Sequence, residues 1–228
     1  MRILMKTPLA VLALAALFLA VPPVLCDQAG AREALAKAGV AFTPEAFLQK
    51  VAEGDAALVT LFLEAGIDPS VANSMKRTAL WIAVERKQPE VLRALLAGGA
   101  APNERNAPPM EYGKTIVFEA VDSGDAALVR TLVEAGADAK MGNEYGVTPL
   151  AEAARVGNLE MCDILLKAGS DPNAAPAGFP LLYGPVNENH LDVVRLLLLS
   201  GAKLGEHKVA LVEAAKTPEM RALLEAAE

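Results

Sequence analysis

An all-α solenoid of stacked helix-turn-helix units, joined by short β-hairpin or loop fingers, is the fold class predicted by three features of this 228-residue chain. The first is a recurring phrase: LFLEAGIDPS (61–70), ALLAGGAAPN (94–103), TLVEAGADAK (131–140), ILLKAGSDPN (164–173) and LLLLSGAKLG (196–205). Its glycines, Gly66, Gly99, Gly136, Gly169 and Gly201, are spaced by 33, 37, 33 and 32 residues, and self-similarity at such a period marks a stacked-repeat architecture. The second is composition: 53% of the chain is apolar but only 4% aromatic, so the interior is built from Ala, Leu and Val, which suit close helix-on-helix packing. The third is the order of signals inside each period. A Thr-like cap starts a short Ala-rich helix, a Gly or polar turn follows, then a more apolar helix, then the glycine phrase.

The copy at 145–173, YGVTPLAEAARVGNLEMCDILLKAGSDPN, justifies each element. Thr148 is placed to accept a backbone N–H as N-cap, and Pro149 fits the first helical position because its missing donor costs nothing there. Gly157 turns the chain. Leu159, Cys162, Leu165 and Leu166 are predicted to form the apolar stripe of the second helix. Gly169 ends that helix in the left-handed conformation that glycine enters without steric penalty.

These residues resemble the ankyrin repeat, whose pattern is G-x-T-P-L-H-x-A-A-x-x-G, a second helix, then L-L-x-x-G-A-D-x-N. The resemblance covers roughly residues 43–228, with variants RTALWIA (77–83), GKTIVFEA (113–120) and GFPLLYGPVNENHLDVVRLLLLSGAK (178–203). It implies units near 43–72, 73–105, 106–142, 143–174 and 175–207, with a partial C-terminal cap at 208–228 and an N-terminal cap helix within 27–42. The first copy lacks a clean T-P-L-H and the last lacks the glycine phrase, as capping units do, because their outer faces meet water. Pro180 stands at the Thr position of the fifth unit, and Pro185 falls in its first helix, where a kink or a shortened helix is expected.

Residues 1–26 differ from the rest. MRILMK is basic, TPLAVLALAALFLAVPPVLC is almost wholly apolar, and the first acid is Asp27. This describes a signal peptide cleaved near Cys26, hence a periplasmic or secreted protein; an uncleaved membrane anchor is the alternative, disfavoured by Pro22-Pro23. A lipid anchor on Cys26 would need a small residue where Leu25 stands. The formal charge of −7 and the lack of a Lys/Arg cluster exclude nucleic acid as an expected partner.

Catalytic signatures are not found. Gly113-Lys114-Thr115 echoes a phosphate loop, but the required earlier glycine is Pro108. Cys162 aligns with Val59, Leu92, Val129 and Val194, so its thiol is expected to behave as a buried apolar group. His190 and His207 have no paired acid or nucleophile, and His190 suits a structural hydrogen bond at a turn. Asp68, Asp138 and Asp171 recur at one finger position and read as turn caps. No enzyme activity, metal or cofactor is expected.

In ankyrin arrays the fingers and first helices line a concave surface that binds proteins. The resemblance carries that surface onto Met75, Arg77, Glu85 and Arg86 in the second unit and onto Glu111, Tyr112, Lys114, Asp122 and Ser123 in the third. The fourth contributes Glu144, Tyr145, Val147, Arg155 and Val156, and the fifth Phe179, Asn187 and Glu188. Arg86, Tyr112, Tyr145, Arg155 and Phe179 are the expected anchors, because aromatic rings and guanidinium groups combine area with a polar handle. Trp81, Phe118 and Tyr183, with Ala151 between them in register, are expected to pack between repeats. The longer loop at 104–113 is a candidate recognition element. The function implied is a non-enzymatic scaffold for a protein partner outside the cytoplasm. Alternatives are an immunity or inhibitor protein for a periplasmic effector, or an oxidative-stress accessory protein supporting another enzyme.

Overall fold

The structure is a computed structural model and describes residues 28–105, 113–175 and 178–227. The expected leader 1–26 and Cys26 lie outside the described residues, as does most of the lengthened loop at 104–113. Helix α1 (Gln28–Lys37) precedes α2 (Pro44–Glu53) and α3 (Ala56–Glu64), the pair of the first unit. The second to fourth units are α4 (Ala79–Glu85) with α5 (Pro89–Ala97), α6 (Ile116–Asp122) with α7 (Ala126–Glu134), and α8 (Pro149–Arg155) with α9 (Leu159–Lys167). The fifth pairs α10 (Tyr183–Asn187) with α11 (Leu191–Leu199), and the sixth α12 (Lys208–Ala214) with α13 (Pro218–Ala226).

Polar caps fix where these helices start. Thr43, Thr78, Thr115 and Thr148 each accept the amide three residues on, at 3.2–3.3 Å, which opens α2, α4, α6 and α8. Thr43-Pro44 thus performs in the first unit the role that its sequence only faintly signals. Asp55 and Asn158 do the same for α3 and α9 at 3.0 Å, and Asp125 opens α7 by accepting the amide of Ala127, two residues on, at 2.9 Å. Such a cap is worth about 1 kcal/mol, since it satisfies an amide with no partner inside the helix. The recurring glycines end the second helices: all five have φ between 84° and 93°. The next residue's N–H then returns to the carbonyl five back, as in Ile67 to Phe62 and Ser170 to Leu165, both at 3.0 Å. This is the hydrogen-bonded stop that a left-handed residue permits.

The fifth unit breaks the pattern. Pro180 offers no hydroxyl, α10 has no side-chain cap and runs only 5 residues against 7 in α4, α6 and α8. Because α10 begins at Tyr183, Pro185 falls in its first turn, where its missing N–H has no intrahelical acceptor to lose. The expected shortening is therefore what reconciles this proline with a helix.

Two layers follow from the packing. The first helices stack α2 on α4 on α6 on α8 on α10 on α12, and the second helices stack α3 on α5 on α7 on α9 on α11 on α13. Helix α1 packs on α3 and so begins the second-helix layer half a repeat early. Between the layers runs one core that includes Val59, Leu92, Val129, Cys162 and Val194, all fully buried. Burial drives the Cys162 thiol up to about 12, as expected of an inert apolar group. In α9 the buried stripe is Met161, Cys162, Ile164 and Leu165, whereas Leu159, expected inside, is 44% exposed. Leu159 directly follows the Asn158 cap, and the buried side is taken by residues one turn on.

The fingers are loops pinned by isolated antiparallel bridges, Ala72 to Thr78 and Arg105 to Thr115. Asp68, Asp138 and Asp171 each accept the amide two residues on, at 2.8–2.9 Å, so they are turn caps. Neighbouring fingers are tied by asparagine. Asn103 Oδ1 accepts Asp138 N–H at 2.7 Å, and Asn173 Oδ1 accepts Lys203 N–H at 2.8 Å. At the seam between the second and third units the Thr78 hydroxyl donates to Glu104 Oε2 at 2.5 Å. Burial pushes the Glu104 carboxyl up, and that hydroxyl draws it partly back. At the C-terminal end Lys208 Nζ donates to the carbonyls of Glu225 and Ala227 at 3.1 and 2.5 Å, satisfying the end of α13.

Candidate functional site

With the core shared by all units, functional differences fall on the fingers and the exposed side of the first-helix layer. Each position there can be counted from the cap, Thr78, Thr115, Thr148 or Pro180. One residue before it stand Arg77, Lys114, Val147 and Phe179; seven after it stand Glu85, Asp122, Arg155 and Asn187.

In the second and third units these two positions form an ion pair spanning the first helix. Arg77 pairs with Glu85, and Lys114 Nζ lies 2.5 Å from Asp122 Oδ2. The Lys114 ammonium also rests 5.5 Å from the centroid of the Phe118 ring, whose face attracts a cation. Trp81 and Phe118 are buried, 6% and 3% exposed, in line with the expected packing between repeats.

The fourth and fifth units have no such pair. Arg155 turns back along α8 to Glu152, with Nε 3.0 Å from Oε2. Glu152 holds the Arg155 guanidinium more firmly charged than usual against the opposing effect of burial, with Asp122 and Glu188 adding to the field. Phe179 is 59% exposed and packs on Tyr183, ring centroids 5.6 Å apart at 39°. Tyr183 departs from the packing expectation: it is 43% exposed, because the shortened α10 starts with it, whereas Trp81 and Phe118 are the third residues of their helices. Val156, next to Arg155, is 48% exposed. Gly184 lies against Arg155, where an added Cβ would meet the Arg155 side chain at 3.3 Å. Arg155 and the Phe179–Tyr183 pair therefore belong to one continuous surface.

The finger tips are built alike. Asn73 Oδ1 accepts the amides of Met75 and Arg77, and Asn143 Oδ1 those of Tyr145 and Val147, all at 3.0 Å. This turn holds Met75 and Tyr145 outward, 61% and 59% exposed. Tyr112 has the same register position in the third unit, but Tyr112 and Glu111 lie outside the described residues.

Arg86, exposed at the end of α4, borders a groove of about 860 Å³ between α2 and α4. Leu48, Ala52 and Ile82 form its apolar lining, and Met75 and the Arg77–Glu85 pair stand at its side. The contribution of α2 was not legible from the repeat register, because the first copy keeps the glycine phrase but lacks a clean T-P-L-H at its first helix. His190 serves structure: its Nε2 lies 3.1 Å from the Arg155 carbonyl, and its ring fills the space over Gly157. Among the described residues there is no cluster of His, Cys, Asp or Glu able to hold a metal ion, and no helix is long and apolar enough to cross a membrane.

Comparison with known proteins agrees with this architecture. The family described as ankyrin repeats (3 copies) matches residues 47–141, 99–176 and 118–209, together well over half of the chain. An ankyrin repeat-containing protein of Treponema pallidum (strain Nichols) is 32% identical over 108 residues, 47% of this chain. The match spans only 35% of that relative's length. With its glycine-terminated helix pairs, Thr caps and two-layer stack, the chain belongs to the ankyrin-repeat family, whose arrays are protein–protein interaction scaffolds.

Proposed function

We propose that this chain is a non-enzymatic scaffold that binds a partner protein outside the cytoplasm through its finger and first-helix face, with Arg86, Tyr112, Tyr145, Arg155 and Phe179 as anchors. The observation that carries this reading is the exposure of Tyr145, Phe179, Tyr183 and Val156 on adjacent fingers and first helices of the fourth and fifth units. Water-exposed aromatic rings on a rigid array gain when a partner covers them, and aromatic and Arg side chains dominate binding energy at protein interfaces. Action in the periplasm or outside the cell rests on the basic-then-apolar composition of residues 1–26.

The test is affinity purification of the tagged protein from the exported fraction of its host. One stoichiometric partner should be recovered, and Tyr145→Ala combined with Phe179→Ala should abolish the recovery. Recovery unchanged by both substitutions would rule this face out. Mass spectrometry of the mature N-terminus tests export separately: a chain beginning near Asp27 supports it, and a chain retaining residues 1–26 contradicts it.

A narrower reading, an inhibitor or immunity protein for an effector in that compartment, draws on the formal charge of −7, which suits a basic target. Genes beside that of this protein would distinguish it. An oxidative-stress role acting through Cys162 is disfavoured, because the thiol is fully buried and held protonated; support of another enzyme by docking would use the same face as any other partner.

A further inference from the structure

We propose that the groove between α2 and α4 receives an acidic, apolar segment of the partner protein, with an apolar side chain on Leu48, Ala52 and Ile82 and a carboxylate on Arg86. This rests on the reading of the finger and first-helix face as protein-binding, and adds to it the chemistry of what is bound at one end.

Charge and its pairing support the assignment. The chain is acidic as a whole, yet residues 73–88 carry Lys76, Arg77, Arg86 and Lys87 against the single acid Glu85. Glu85 is committed to Arg77. Among the described residues Lys76, Arg86 and Lys87 have no carboxylate partner, whereas Lys114 and Arg155 in the later units are paired. Lys76 and Lys87 occupy left-handed turn positions, φ 59° and 54°, and both are exposed. In the third and fourth units the register equivalents of these two lysines are Gly113, Gly124, Gly146 and Gly157. The second unit therefore places cations at turns where glycine is sterically easier.

The charged residues that line the groove itself are Glu45, Arg77, Glu85 and Arg86. Glu45, its unpaired acid, lies in the first turn of α2, where the helix N-terminus favours a negative charge. Arg86, the other charged lining residue outside the Arg77–Glu85 pair, is the C-cap residue of α4. With Arg77 held by Glu85, Arg86 is the lining cation left to receive a ligand carboxylate. Met75, 61% exposed at the side of the groove, adds a flexible apolar wall that adapts to different side chains.

The probe is a random-sequence peptide library displayed on phage and selected on the purified protein. Peptides pairing Asp or Glu with Leu, Ile, Met or Phe are expected to be enriched. Their affinity should fall about tenfold or more with Arg86→Glu and stay unchanged with Leu199→Ser, an exposed position at the end of α11 in the other layer. Enrichment of basic peptides, no enrichment, or acidic peptides that bind Arg86→Glu equally well would each overturn the inference. So would a dimer seen by sedimentation that Arg86→Glu dissociates, since the groove would then belong to a second copy. Peptides that ignore Arg86→Glu but are lost with Tyr145→Ala and Phe179→Ala would sink the groove and leave the protein-binding reading standing.

Discussion

The second and third repeats close their finger and first-helix face with ion pairs, whereas the fourth and fifth open theirs with aromatic rings. The scaffolding beneath is nearly the same. Thr78, Thr115 and Thr148 cap equivalent helices, and Leu92, Val129, Cys162 and Val194 fill equivalent core sites. What differs is Arg77 and Glu85, then Lys114 and Asp122, against Val147 and Arg155, then Phe179 and Asn187. Partly exposed ion pairs of this kind contribute only about 0–1 kcal/mol, so exchanging them costs the fold little. The comparison teaches that this surface is set independently of the stack that supports it, which is the condition a repeat array needs to acquire new partners.

Substitutions can break or sharpen that contrast. The largest effect is expected at the turn between the two helices of a unit. Gly124 and Gly157 share a register position and φ 77°, but an added Cβ meets nothing within 4 Å at Gly124 and comes within 2.5 Å of the His190 ring at Gly157. Gly124→Ala should cost about 1 kcal/mol for the left-handed backbone alone. Gly157→Ala should cost about 3 kcal/mol, because it also displaces His190 from the Arg155 carbonyl. Urea denaturation of both variants measures the difference, and equal losses would show that the fourth and fifth units are not locked through this histidine.

A smaller effect is expected at the seam of the second and third units. The Glu104 carboxyl is raised in the folded chain, chiefly by burial, so folding favours its protonated form. Its contribution is therefore complete below the unfolded carboxylate range, is lost as pH rises through the higher folded value, and stays lost at neutral pH. Glu104→Gln keeps an acceptor for Thr78 and should raise the urea midpoint at pH 7 while changing it little near pH 4. A lower midpoint at pH 7 would mean that the ionised carboxylate helps the seam.

The smallest effect on stability is expected from the ion pairs themselves. Glu85→Gln with Asp122→Asn should shift unfolding by less than about 1 kcal/mol per pair. A loss of several kcal/mol would show that the N-terminal half of the face is structural rather than available to a partner.

The framework was legible in the sequence because its signals are local or periodic. Glycine steps located the ends of five second helices, the register position of Thr78, Thr115 and Thr148 located the caps of first helices, and superposition on glycine placed Cys162 in the core. Asp68, Asp138 and Asp171 could be read as turn caps for the same reason. The face was legible only as a set of candidates. Arg77 with Glu85 and Lys114 with Asp122 lie eight residues apart, outside the three- and four-residue spacings by which helical pairs are recognised. The exposure of Tyr183 depends on where α10 starts, and that start follows from two prolines acting together. The groove needed α2, whose unit carries the weakest copy of the pattern.

On the proposed reading the partner meets the dissimilar finger and first-helix face, and not the second-helix layer. Site-specific photo-crosslinking in the host tests this, with a benzophenone amino acid placed at Phe179 on that face or at Leu199 in the second-helix layer, 59% and 82% exposed. One discrete adduct is expected from position 179 and none from position 199. An adduct formed from position 199 alone would contradict that reading.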